Sequence, residues 1–434
     1  MARARTPTSR PRRSSLARLL LLLPTATYRA TAFVEAARAI GADLTVASER
    51  PSTFEGAEPA NLVTLALATP DRAADQARDF ARQHRLDGVL GVDDDTAVVA
   101  AAIATRLQLR GNTERAALAA RDKHLQRVTL AQAGVPVPRF SLHTLKEPAR
   151  DVAAALRYPC VIKPLRLAAS RGVIRADDAR AFVTAQARLA AILAQPDIAG
   201  CGEWAEQYLV EDFIGGPEVA LEGLVIAGRL HVLAIFDKPD PLDGPFFEET
   251  IYVTPSRLPE TAQAAIAACA QAAVRALDLR EGPIHAELRW NSEGAWLIEL
   301  AARPIGGRCS AALRFGERGT GKGQWSLEEV IVRHALSMDL PELEREARPS
   351  GVMMIPVPRS GTLRAIRGQA GAARVPGIDA VQFTVALGQT LVAWPEGSRY
   401  VGFIFAHGDA PELVEAALRA AHQQIALVIE PLGD

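Results

Sequence analysis

Between Arg18 and Leu107, short apolar runs alternate with stretches of helical periodicity, and this alternation constrains the fold more than any other feature of the chain. Arg18–Leu23, Leu44–Ser48, Leu62–Leu67 and Gly88–Val92 read as strands. Thr31–Ile40, closed by Gly41, Asp71–His84 and the Ala-rich Thr96–Leu107 read as helices. Strands that alternate with helices pair in parallel and are covered on both faces, so the first hundred residues predict an α/β layer structure.

The layout is Rossmann-like, yet Pro24-Thr25-Ala26-Thr27 stands where a dinucleotide fold carries its Gly-x-Gly-x-x-Gly turn. A wall against a small substrate is the better expectation. Asp93-Asp94-Asp95 follows the fourth strand, where such sheets place ligands; an N-cap and acidic first turn, which account for all three, are preferred. A helix over Arg115–Ala133 ends at Gly134, and Val135-Pro136-Val137-Pro138 forces an extended linker. Two αβ stretches, strand-rich sequence from Gln207 to Thr254 and a helix over Pro259–Leu277 follow. After Leu340 the chain becomes rich in Gly, Pro and Val strands, with a last helix over Pro411–Gln424. The boundaries expected from this texture are a disordered basic tail at 1–17, an N-terminal unit at 18–113, a central unit at 114–345 and an α+β unit at 346–434.

Lys plus Arg number 49 and Asp plus Glu 50, a balance without the basic surplus of a nucleic-acid partner. Anionic ligands must therefore be held by local groups. Cys160, Cys201, Cys269 and Cys309 are too dispersed for a zinc site or a disulfide framework, which suits a reducing, cytoplasmic setting. The arginine-rich start running into Leu19–Leu23 has the outline of a secretory or transit signal. Because a βα unit follows directly, a disordered tail before a buried strand is preferred. No stretch approaches the roughly 20 apolar residues that span a bilayer.

Chemistry concentrates between 114 and 310. Tyr158–Pro164 reads as a strand delivering Lys163 to a loop of small residues, Ala168-Ala169-Ser170-Arg171-Gly172-Val173, a pairing suited to phosphate. Val210–Ile214 is a strand running into Gly215-Gly216-Pro217, with Glu218 just beyond. Ile284–Trp290 and Ala295–Leu300 form a hairpin around Asn291–Gly294. Alternation puts His285, Glu287 and Arg289 on one face, and Glu299, Ala301 and Arg303 on the matching face of the partner strand. Carboxylates among Ile284, Leu288, Trp296, Ile298 and Leu300 must be paired or bind a metal. Mg²⁺ takes carboxylate oxygens together with phosphates. Arg303 and the Gly306-Gly307 amides are placed to hold a phosphoryl group in transfer.

In this order, Asp122-Lys123, Val135–Pro138, Val161–Pro164, Ser170–Val173, Val210–Phe213, Gly216–Glu218, His285–Glu287, Ile298-Glu299 and Ala302–Gly307 resemble the ATP-grasp superfamily, closest to its biotin-carboxylase-like and L-amino-acid-ligase-like branches. The resemblance implies an N-terminal Rossmann-like domain, a central two-subdomain ATP-grasp unit and a small C-terminal strand-rich domain. It implies ATP with one or two Mg²⁺, Mn²⁺ being an alternative. By the same resemblance Lys123 and Lys163 would contact phosphates, the loop with Ser170, Gly172 and Val173 would close over them, and Glu211, Asp212, Phe213 and Ile214 would line the adenine. Glu218 binds ribose, Glu287 and Glu299 hold the metal, and Arg303 meets the phosphoryl group. Two departures stand out: Ala168-Ala169 replace glycines of the loop, and Ala301 stands where an asparagine is common, which removes one ligand for a second metal.

The reaction implied joins a small carboxylic acid, an amino acid by preference, to an amine through an acyl phosphate. His285, Glu249, Gly306, Gly307 and Arg308 are candidates for the acceptor side. Rival readings are a bicarbonate-using carboxylase, although no Met-Lys-Met carrier signature is present, and a weakly catalytic nucleotide-binding regulator. The partners expected are small molecules, with a homodimer as the one assembly entertained.

Overall fold

The computed structural model describes residues 16–24, 29–52, 54–316 and 325–431. Most of the basic tail therefore lies outside the described residues. The N-terminal strands β1 (Arg18–Leu22), β2 (Asp43–Ser48), β3 (Leu62–Thr64) and β4 (Gly88–Gly91) form a parallel sheet in the order β3-β2-β1-β4. Helices α1 (Ala30–Ala39), α2 (Pro70–Ala81) and α3 (Asp94–Leu107) cover it. Strand β1 is central, and Leu19 to Leu22 are wholly buried, alternate leucines entering different cores. That is the burial expected of a parallel strand covered on both sides.

The predicted helix over 115–133 is two helices, α4 (Glu114–Arg121) and α5 (Lys123–Gln132). Asp122 between them is extended, and its carboxylate accepts from Leu125 N–H at 3.1 Å, so a capping aspartate starts a new helix in mid-pattern. Next come β5 (Phe140–Thr144), α6 (Ala149–Ala155), β6 (Cys160–Pro164), β7 (Ile174–Ala176), α7 (Ala179–Leu193) and β8 (Gln207–Asp212). Their strands form an antiparallel sheet, β5-β8-β6-β7, with its own apolar core on α7.

Strands β9 (Glu218–Ile226), β10 (Arg229–Asp237) and β11 (Ile251–Thr254), helix α8 (Glu260–Ala276), and the hairpin β12 (Gly282–Asn291) and β13 (Gly294–Ala301) complete the central region. The large antiparallel sheet runs β13-β12-β9-β10-β11 and continues through Ser350–Ile355, Gly402–His407 and Ile378–Phe383. The C-terminal segment thus shares a sheet with the hairpin, a continuity that its change of texture does not announce. Pairing of β11 with 350–355 buries Ile251, Val253, Met353 and Ile355 in one core, roughly 2 kcal/mol for each such side chain. Among the described residues no helix is long and apolar enough to cross a membrane.

Candidate active site

A cleft of about 800 Å³ opens between the β5-β8-β6-β7 sheet and the large sheet, with the N-terminal domain and the C-terminal segment closing its ends. The hairpin forms its floor. His285, Glu287, Arg289, Glu299, Ala301 and Arg303 all line it, as strand alternation predicts. Glu287 lies opposite Glu299, and a bulge after Glu287 brings Leu288 opposite Leu297. On the other face Leu288, Leu297 and Leu300 are fully buried beneath α8.

Arg303 Nε donates to Asp94 Oδ2 at 2.9 Å. Capping therefore explains only part of the acidic triplet. Asp93 caps α3, accepting from Thr96 N–H at 2.8 Å, while Asp94 reaches Arg303 and Asp95 pairs with Arg121. Burial works against ionised Asp94, but Arg303, Lys123 and Arg29 together hold the carboxyl below its ordinary range. Arg29 adds a second guanidinium from the N-terminal domain, donating to Pro304 O at 2.9 Å.

The break at Asp122 sets Lys123 at the start of α5. Its backbone N–H donates to Leu165 O, and its ammonium donates to Leu167 O and Glu299 Oε1, both at 2.9 Å. Lys163, at the end of β6, lies 2.5 Å from Glu211 Oε2. Glu211 also accepts from Arg127 Nε at 2.7 Å. Burial raises the pKa of Glu211, yet Arg127 and Lys163 together bring it below normal. The Glu211 carboxylate, expected beside adenine, is thus a counter-ion for two cations. Arg127 escaped the sequence reading although it lies one helical turn from Lys123 on α5, a spacing that could have signalled it.

Further along, Asp212 pairs with Arg139 at 3.4 Å, and Phe213 lies between the guanidinium groups of Arg175 and Arg289, 4.2 and 4.8 Å from its ring centre. Ile214 O accepts from Arg289 Nη1 at 2.7 Å. The turn that follows needs glycine: Gly216 has φ +110°, and a Cβ there would lie 2.2 Å from Trp290 O. Both oxygens of Glu218, expected to receive ribose hydroxyls, are taken within the protein, Oε1 by Lys238 at 2.7 Å and Oε2 by Arg289 Nε at 2.8 Å. Glu249, expected to take a substrate ammonium, instead accepts from Lys238 and from the Tyr252 hydroxyl, each at 2.6 Å. An internal ammonium stands where an external one was anticipated. Lys238 was legible only as a lysine just past the end of a strand.

His285 Nε2 is 3.5 Å from Glu287, and burial followed by Arg303 and Lys238 brings its pKa down to about 3. It is a neutral imidazole at the cleft floor. In the loop, Ser170 lines the cleft, and Gly172 N–H donates to Pro395 O at 2.9 Å. Val173, Gly306 and Gly307 also line the cleft, and Gly307 has φ +58° with Met354 Sδ 2.3 Å from where a Cβ would stand. Arg308 turns away: it pairs with Gln382 and lies over Phe403 and Phe405. Thr384, Tyr400 and Phe403 close the far end, so the C-terminal segment completes the cleft.

Two carboxylate groupings could hold a cation. Oxygens of Glu218, Glu249 and Glu287 lie within 4.8 Å of one another, but the Lys238 ammonium already sits among them, at 2.7, 2.6 and 3.5 Å. Glu287 and Glu299 face each other across the hairpin with partial exposure to the cleft, and their hard oxygen donors fit Mg²⁺.

Three family models match the chain in order: an ATP-grasp N-terminal domain over 34–111, an ATP-grasp domain over 156–312, and L-amino acid ligase C-terminal domain 2 over 353–430. An L-amino acid ligase from Bacillus licheniformis superposes with a TM-score of 0.79 at 27% identity, covering 96% of this chain and 99% of that one. Alanine–anticapsin ligase of Bacillus subtilis (strain 168) is 29% identical over 214 residues, 46% of this chain and 45% of that protein. An uncharacterized protein, y4rH, of Sinorhizobium fredii (strain NBRC 101917 / NGR234) is 23% identical over 96% of this chain and 84% of its own length. The match to alanine–anticapsin ligase thus spans about half of either protein. Domain order, sheet topology and the cation-lined cleft agree, and the chain belongs to the ATP-grasp superfamily.

Proposed function

We propose that the chain is an ATP-dependent ligase that activates a small carboxylic acid, by preference an amino acid, as an acyl phosphate and joins it to an amine. The observation that carries this reading is the meeting of Lys123, Lys163 and Arg303 with the Glu287–Glu299 pair in one cleft. Two ammonium groups and a guanidinium suit a polyphosphate and the phosphoryl group leaving it. The likeness to L-amino acid ligase over nearly the whole of both chains supports the choice of amino acid.

In the proposed reaction a substrate carboxylate oxygen attacks the γ-phosphorus of ATP, and ADP leaves with the bonding pair. The amine nitrogen then attacks the acyl carbon, phosphate leaves, and the amine gives up a proton. Lys123 and Lys163 hold phosphate oxygens, and Arg303 stabilises the charge gathering on the transferred group. Glu287 and Glu299 would hold Mg²⁺, which supplies neutralisation of phosphate charge when bound. Neutral His285 offers a hydrogen bond to the acyl group without adding charge. We read one metal ion, since Ala301 offers no ligand beside the pair. The domain boundaries at 113 and 345 are kept as part of this reading.

Phosphate release from ATP, measured across a panel of carboxylates and amines with hydroxylamine to trap acyl phosphates, tests the proposal. Release that depends on an amino acid together with an amine, and hydroxamate formation, are expected. Turnover with bicarbonate alone would assign a carboxylase instead, and silence with retained ATP binding a regulator.

A further inference from the structure

The phosphate loop is unusual in what holds it. Ala169 and Ser170 both adopt φ +54°, a left-handed conformation that residues with a Cβ enter only when their surroundings enforce it. Inside the loop there is little to enforce it beyond two turn contacts, Arg171 N–H to Ala168 O at 3.3 Å and Val173 N–H to Ser170 O at 3.1 Å.

Arg171 pairs with Gln195 and Asp197 just past α7, and further enforcement comes from the C-terminal segment, more than two hundred residues away in sequence. Trp394 Nε1 donates to Ala169 O at 2.9 Å. Gly172 N–H donates to Pro395 O at 2.9 Å, and Arg171 Nε to Glu396 O at 3.1 Å. The Glu396 carboxylate accepts from Arg188 on α7, directly behind the loop, with Nη2 to Oε2 at 2.8 Å. Three consecutive residues thus each engage the loop. They are anchored in turn: Trp394 is 6% exposed in the C-terminal core, with its ring centre 5.0 Å from that of Tyr400, and Ala393 N–H donates to Ser360 Oγ at 3.0 Å.

We propose that Trp394 and Glu396 are positioning residues that latch the 168–172 loop over the bound phosphates of ATP and so set how long the nucleotide stays. A loop of glycines closes by adapting its own backbone. This loop, with Ala168-Ala169-Ser170, is held in one shape by hydrogen bonds from outside it. The inference rests on the nucleotide-site reading above.

The experiment uses the full chain and Mg²⁺ with AMP-PNP as probe, following association and dissociation by stopped flow. Trp394→Phe keeps the ring and removes the indole donor. Glu396→Ala removes the ion pair, and Arg188→Gln removes the same pair from a side chain that is 40% exposed, leaving the C-terminal core untouched. Trp394→Phe should release AMP-PNP about tenfold faster with unchanged association, the effect of losing one hydrogen bond of ordinary net worth, and Glu396→Ala and Arg188→Gln, which lose a partly exposed ion pair, about threefold faster. Exchanging the charges, Arg188→Glu with Glu396→Arg, should restore slow release, and an unchanged melting temperature in the single variants separates latching from a loss of stability. Wild-type dissociation rates in all three single variants would overturn the latch alone. Failure of the wild-type chain to bind AMP-PNP would overturn the nucleotide site, and the latch with it.

Discussion

Lys238 and the pair Lys123 and Lys163 are all buried lysines held by carboxylates, yet they are balanced in opposite senses. Around Lys238, two cations (with Arg289) meet three carboxylates, Glu218, Glu249 and Glu287. Burial alone would strip its proton, but those three carboxylates hold its pKa well above normal. Around Lys123 and Lys163, three cations (with Arg127) meet only two carboxylates, Glu211 and Glu299. One cluster therefore carries surplus negative charge and the other surplus positive charge, and they meet where Glu287 lies opposite Glu299. A lysine enclosed by carboxylates is a structural counter-ion, whereas a lysine in a cationic surplus facing a cleft is free to meet phosphate.

The sharpest way to break this contrast is at Glu299. Glu299→Ala should lower phosphate release by about 4 kcal/mol, on the order of a thousandfold, while the melting temperature holds. Unchanged turnover would remove Glu299 from the site. Lys238→Met should instead cost about 3 kcal/mol of stability in urea unfolding, because buried Glu218 and the partly buried Glu249 and Glu287 lose their shared cation. A weakened affinity for ATP with full stability would move Lys238 into the ligand-facing class. Lys163→Met should leave stability nearly intact, since Arg127 still holds Glu211, and raise the KM for ATP by about 2 kcal/mol, some thirtyfold.

The smallest effect expected is at Glu248, outside both clusters. Burial raises its pKa to about 7, against a hydrogen bond from Val357 N–H. An acid whose folded pKa is raised contributes stability that is whole below its unfolded value and is lost as pH climbs to the folded one. Glu248→Gln should therefore match wild type near pH 4 and become more stable by about 1 kcal/mol by pH 8, after allowance for partial exposure. A melting-temperature difference that stays flat over that range would contradict it.

The hairpin is legible in the sequence because a strand has a period of two. Given the turn at Asn291–Gly294, alternation alone faces His285, Glu287 and Arg289 toward Glu299 and Arg303. The parallel N-terminal sheet is legible for a similar reason, since strand and helix periods differ. Asp122 is not legible as a helix break because one capping residue inside a helical pattern looks like an ordinary polar position. Glu218 and Glu249 read as ligand groups because no local pattern shows that Lys238, on a third strand end, already lies between them.

By itself, then, the sequence determined which residues share a face and in what order the pieces occur, because both follow from local periodicity. The tertiary structure decided how the charges are partnered: Lys238 among its carboxylates, Asp94 on Arg303, Glu396 on Arg188 behind the 168–172 loop. Such pairings join distant parts of the chain, and their strength depends on distance and burial, neither of which is written in local spacing.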